Sequence, residues 1–177
     1  MSSNPTIQDA TDVDLEACQR IYAHWVLHGT GSFELEPPDL AEMQRRHGEV
    51  AGRGLPWLVA IDAESNVLGF AYANWFRPRL AYRFTVETSI YVDPACAGQG
   101  LGRALLSDVL VRCENAGIRQ AIAVIGDSEN AGSIGVHAAL GFVQTGIMHA
   151  TGWKFDRWLD VVIMQRALGP GAAKAPD

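Results

Sequence analysis

Between Thr85 and Ala116 the chain reads TVETSIYVDPACAGQGLGRALLSDVLVRCENA, and this stretch limits the fold more than any other. From Thr85 to Val92 the residues alternate: Val86, Thr88, Ile90 and Val92 fall on one face, and Thr85, Glu87, Ser89 and Tyr91 fall on the other, which predicts a strand. Asp93-Pro94 ends it. Gly98, Gly100 and Gly102 then allow backbone conformations that a side chain would forbid and turn several N–H groups the same way. Beyond them Leu105, Leu106, Val109, Leu110 and Cys113 keep helical spacing, so the loop opens onto a helix N-terminus. Free amide donors meet the positive end of the helix dipole there, and a phosphate is the natural occupant.

The glycine spacing narrows the ligand. A nucleoside-triphosphate loop needs Lys-Ser/Thr after its last glycine, and Arg103 stands there instead. A dinucleotide fingerprint starting at Gly98 needs a sixth-position glycine, which is again Arg103.

At 177 residues the chain is expected to form one domain over 1–168 that buries roughly 70% of its unfolded surface. The Gly/Ala/Pro-rich stretch 169–177 is expected to be a flexible tail. A net charge of -6 argues against a broad nucleic-acid or anionic-membrane footprint. Cys18, Cys96 and Cys113 are an odd number without metal-ligand spacing, so neither a disulfide framework nor a metal site is expected. There is no basic region followed by an apolar run and no stretch of about 18 apolar residues, so a cytoplasmic protein is expected.

In chain order, Thr6–Ala10 reads as a strand. Thr11-x-x-Asp14 resembles a capping box before a helix whose Leu15, Cys18, Ile21, Tyr22, Trp25 and Val26 form one stripe. A loop over 30–38 leads to a helix with Leu40, Met43, His47 and Val50 inward. Trp57–Ile61 and Val67–Trp75 read as a hairpin, and with Thr85–Val92 they form three consecutive antiparallel strands. After the glycine-loop helix come a strand over Ala121–Ile125, a short helix within Asp127–Leu140, and strands over Phe142–Ala150 and Trp158–Arg166 joined by a loop over 151–157.

The spacing Gly98-x-Gly100-x-Gly102-Arg103 resembles the pyrophosphate loop of the GCN5-related N-acetyltransferases (GNAT), Arg/Gln-x-x-Gly-x-Gly/Ala. Ala97 takes the Arg/Gln position, which removes one side-chain contact but no backbone donor. The order of elements is that of the family, and Asn130-x-x-Ser133 followed by His137 and Gly141-Phe142 is similar to its Asn-x-x-Ser/Ala…Tyr-x-x-x-Gly-Phe segment, with His137 in the usual Tyr position. The resemblance implies an α+β, three-layer fold with a mixed, mostly antiparallel seven-stranded sheet flanked by about four helices. Six further segments resemble the phosphinothricin/methionine sulfoximine acetyltransferase branch. They are Thr30–Glu34, Phe76–Arg79, Tyr82–Glu87, Ala123–Gly126, Val136–Phe142 and Trp153–Asp160. That branch is homodimeric, and Trp75, Trp153 and Trp158 are expected in a core or at a dimer face.

The resemblance implies acetyl-CoA as co-substrate, with no metal. Its expected contacts are Ile90, Tyr91 and Val92 at the strand end, Gly98, Gln99, Gly100, Gly102 and Arg103 on the loop, and Asn130 and Ser133 on the following helix. Acetyl transfer to an amine needs the amine neutral, a stabilised oxyanion and a route for the leaving thiolate. Glu87 sits in a largely apolar strand, where a carboxylate needs a role or a partner, and is expected to be the general base. Pairing with Arg83 is the alternative. His137 is expected either to protonate the thiolate or only to contact the cofactor. Arg77 and Arg79 offer planar donors to the carboxylate of a small amino-acid-like acceptor. Phe33, Glu34 and Lys154 are expected at the acceptor end. The implied reaction is sequential N-acetylation of phosphinothricin, methionine sulfoximine or methionine sulfone. A non-catalytic acyl-CoA sensor, or an acetyltransferase for a polyamine or a protein N-terminus, remains as an alternative.

Overall fold

The computed structural model describes residues 5–176. Seven strands form one sheet in the order β1-β2-β3-β4-β5-β7-β6. They are β1 (Thr6–Asp9), β2 (Trp57–Ile61), β3 (Val67–Trp75), β4 (Thr85–Val92), β5 (Gln120–Gly126), β6 (Val143–Lys154) and β7 (Arg157–Ala167). Every pairing is antiparallel except β4 with β5. The helices are α1 (Leu15–His28), α2 (Leu40–Gly52), α3 (Leu101–Asn115) and α4 (Ala131–Ala139). The expected fold class, a mostly antiparallel seven-stranded sheet with four helices, is the one observed.

Two core layers enclose the sheet, and the alternation of each strand assigns its residues to one or the other. Val86, Thr88, Ile90 and Val92 face α3, where Gly102 packs beside the Ile90 and Val92 side chains and Gly69 lets Leu105 approach. Tyr91 points to the opposite layer, edge-on to Tyr22 of α1 at 4.7 Å. Trp57, Phe70 and Tyr72 stack along that layer across β2 and β3. Leu15, Cys18, Ile21, Tyr22 and Val26 of the expected α1 stripe are buried. Thr11 and Asp14 do form a capping box, from which a 3-10 turn over Asp12–Asp14 leads into α1.

Three local expectations need correction. The connection expected over 151–157 is a two-residue turn, Phe155-Asp156, at φ +52° and +53°. Primed turns of this kind match the twist of paired strands, so β6 and β7 stay paired through Trp153↔Trp158 to Lys154↔Arg157. The helix placed within 127–140 begins only at Ala131, because Asp127 has φ +74° and Asn130 is the cap, accepting from the Ser133 N–H. Leu40, expected inward, is exposed at the first position of α2, while His47 lies edge-on to Trp57. At the C-terminal end Leu168 is buried, and Gly171 and Ala173 close successive turns on Leu168 and Pro170.

Candidate active site

The parallel ladder between β4 and β5 runs only from Thr85↔Gln120 through Val86↔Ala121 to Glu87↔Ile122, and then the strands part. In the β3–β4 ladder the odd-numbered residues of β4 bond to β3, as Thr85 and Asp93 do with Phe76 and Leu68. The backbone groups of the even-numbered residues therefore point to the β5 side. At Ile90 and Val92 no strand lies opposite them. Val92 C=O accepts from the Trp25 indole N–H at 2.8 Å, and the Ile90 N–H and C=O face the gap.

This gap is part of a cleft of about 970 Å³. One wall is β4 from Glu87 to Val92, and the other is β5 from Ala123 to Ile125 with Asn130, Ser133 and His137. The glycine loop closes one end: Gly98 and Gly100 have φ of +76° and +82°, and Gly100 caps α3. No atom lies within 4 Å of where a Cβ would stand on either, so it is the backbone conformation that calls for glycine. The donors of this loop and the α3 N-terminus face the cleft together, and Arg103 lines it as well. Of the ten expected cofactor contacts, nine line the cleft and Gln99 does not.

Glu87 lies where the two strands separate, half-buried on the cleft wall. Burial raises its carboxyl above the usual range, and the Arg77 charge opposes the shift. The alternative partner, Arg83, is engaged elsewhere: its guanidinium donates to the Leu80 carbonyl and lies over the Phe84 ring. Among the described residues Glu87 forms no ion pair.

His137 is buried, with Nδ1 2.8 Å from the Ser133 carbonyl and its ring edge-on to Phe142. A carbonyl only accepts, so Nδ1 carries the proton and Nε2 of the neutral ring carries a lone pair. Nε2 has no hydrogen-bond partner among the described residues. Burial lowers the ring's pKa, which keeps it neutral, while the Ser133 carbonyl opposes the shift.

The residues expected at the acceptor end divide into two groups outside the cleft lining. Arg77 and Arg79 are exposed after β3, with Arg77 folded over the Phe76 ring and donating to its carbonyl. Phe33, Glu34 and Lys154 belong to a second cluster. Glu34 accepts from Tyr22 Oη at 3.0 Å and from Arg46 at 2.8 Å. Phe33 lies against Gly126 and Gly152, and Lys154 donates to the carbonyls of Gly29 and Ser32. Sequence reasoning missed Trp25, His28 and the segment Gly29–Gly31, which also line the cleft, and Arg157, which lines it while paired with Asp127 at 2.7 Å. Gly126 was the available signal, since a glycine at a strand end marks a close backbone approach.

Among the described residues no cluster of three or more His, Cys, Asp or Glu is placed to hold a metal ion, and no helix is long and apolar enough to cross a membrane.

Residues 18–142 match the acetyltransferase (GNAT) family. The chain is similar to a phosphinothricin N-acetyltransferase of Alcaligenes faecalis, 50% identical over 97% of this chain and 87% of that one. It is also similar to an L-methionine sulfoximine/L-methionine sulfone acetyltransferase of Pseudomonas aeruginosa, 42% identical over 93% of this chain and 95% of that one. Among solved structures it resembles a GNAT superfamily phosphinothricin acetyltransferase from Sinorhizobium meliloti in complex with AcCoA. The TM-score is 0.96 and the identity 47%, covering 99% of this chain and 94% of that one.

Proposed function

The chain belongs to the acetyltransferase (GNAT) family, an N-acetyltransferase with acetyl-CoA as co-substrate, and we propose that it acetylates the α-amine of phosphinothricin, methionine sulfoximine or methionine sulfone. The observation that carries this reading is the single cleft that joins the parted β4 edge, the glycine-loop amides and the Glu87 carboxylate.

Bound acetyl-CoA supplies the acetyl thioester. The Ile90 N–H and C=O pair with the amide arm as a strand would, and the loop around Gly98, Gly100, Gly102 and Arg103 takes the pyrophosphate. Glu87 accepts a proton from the acceptor ammonium, directly or through one water, and the neutral amine attacks the thioester carbonyl. A β4 backbone N–H aimed at the gap stabilises the oxyanion. Holding both substrates in one cleft makes the transfer direct and sequential.

The proton on Nδ1 of His137 supports a contact role over an acid role, because Nε2 offers only a lone pair. The leaving thiol has a pKa near that of cysteine, about 8.5, so departure as thiolate needs little assistance near neutrality. Arg77 and Arg79, exposed beside the Glu87 end of β3, are assigned to the acceptor's carboxylate. Glu34 is already bound by Arg46 and Tyr22, which leaves little free acid for a polyamine.

A homodimer is part of the proposal. Edge strand β6 is exposed over most of its length, and Trp153 and Trp158 at its turn are 54% and 60% exposed. Large unpaired aromatic edges of this kind are normally covered.

The test is acetyl-CoA-dependent thiol release with phosphinothricin, methionine sulfoximine, methionine sulfone, common amino acids and a polyamine. Turnover confined to the first three is expected. Bound acetyl-CoA with no turnover on the whole panel would overturn the reading in favour of a sensor.

A further inference from the structure

Lys154 is 3% exposed, although its side chain ends in a charge. Its Nζ donates to the Ser32 carbonyl at 2.7 Å and to the Gly29 carbonyl at 2.9 Å, across more than 120 residues of chain. Its remaining direction is taken up by the Phe155 ring, 5.1 Å away. Burying an ammonium is costly, and two backbone carbonyls compensate only if they are held where it lies.

The segment those carbonyls belong to is seated with little slack. A Cβ on Gly126 would stand 2.0 Å from the Thr30 carbonyl oxygen, and one on Gly152 would stand 2.1 Å from the Phe33 ring. The strap from Gly29 to Phe33 therefore lies on two glycines, one in β5 and one in β6, directly against backbone. Ser32 Oγ is hydrogen-bonded to Tyr22 Oη at 2.9 Å, and Arg46 fixes the following Glu34. On its inner side Gly29, Thr30 and Gly31 line the cleft beside β5 and Asn130.

We propose that Lys154 is a positioning residue that latches the Gly29–Phe33 strap across β5 and so sets the acceptor-side wall of the cleft, without touching the acceptor. This rests on the acceptor reading above. Lys154 acts through main-chain carbonyls, so the wall it fixes does not depend on the side chain at Thr30.

The experiment compares wild type, Lys154→Met and Lys154→Arg. Amide hydrogen exchange over residues 29–34 reads the latch with no substrate present. Steady-state kinetics with phosphinothricin read the wall, and calorimetric titration of acetyl-CoA reads the cofactor side. Lys154→Met is expected to exchange at least tenfold faster in the strap, with α3 and β4 unchanged. The acceptor KM should rise about tenfold and acetyl-CoA affinity should stay within about twofold. Lys154→Arg, which keeps the donors, should recover part of both losses. Unchanged strap exchange, or faster exchange with an unaltered acceptor KM, would overturn the proposal. If Lys154→Met fails to fold, Lys154→Gln, with one amide donor pair, is read by the same criteria. Wild type inactive on phosphinothricin, methionine sulfoximine and methionine sulfone alike would overturn the acceptor reading alone, because the exchange measurement needs no acceptor.

Discussion

Glu87 and Ile122 form the last rung of the parallel ladder between β4 and β5, so the carboxylate stands where the sheet opens. Behind it the strands are paired and closed, and ahead of it Ile90 turns its N–H and C=O to the gap while the Val92 C=O is held by the Trp25 indole. A carboxyl group at that apex is within the cleft yet shielded enough for burial to raise its pKa.

Glu87→Gln should lower kcat by about a hundredfold or more, the usual contribution of a positioned general base. Acetyl-CoA affinity measured by calorimetry should change less than twofold. Wild-type turnover in the variant would remove Glu87 from the mechanism.

The pH profile carries a sign that can be checked. A carboxyl raised by burial must lose its proton to act, so kcat/KM should climb with pH through a limb above the ordinary carboxylate range. Arg77 favours the charged form, and Arg77→Leu should move that limb to higher pH. A shift to lower pH, or none, would show that the limb belongs to another group. His137, held neutral with its proton turned to Ser133, should impose no loss of activity between about pH 6.5 and 8.

Two glycine substitutions should separate the ends of the cleft. Gly100→Ala meets no neighbour but must hold φ +82°, which costs about 1–2 kcal/mol and disturbs the amides at the start of α3. The acetyl-CoA KM should rise with little change for the acceptor. Gly126→Ala has the opposite problem, a steric one, and forces Thr30 and the rest of the strap away from β5; overpacking of this kind costs about 1–3 kcal/mol. Its acceptor KM should rise about tenfold. Equal effects of both variants on both substrates would refute the division.

The proposed dimer predicts a light-scattering mass of two chains at micromolar concentration. Trp158→Lys, which places a charge at the β6–β7 turn, should shift the mass toward one chain. A monomeric wild type would leave the exposed Trp153 and Trp158 to another partner.

What the sequence determined is what neighbours along the chain determine. The alternation of Thr85–Val92, the glycines before α3 and the capping box of Thr11 with Asp14 are local, because a strand's two faces and a helix's free amides depend on residues a few positions apart. Glu87 stood out for the same reason, as a carboxylate in an apolar strand. The tertiary structure decided which of these features meet. The parting of β4 from β5, the Trp25 bond to Val92 and the seat of the strap on Gly126 and Gly152 join residues far apart in the chain, and no periodicity carries that information. The role of Lys154 shows the physical reason most directly. Whether a lysine ends in water, on a substrate or on two carbonyls depends on what surrounds its ammonium once the core has closed, and those surroundings lie more than 120 residues away in sequence.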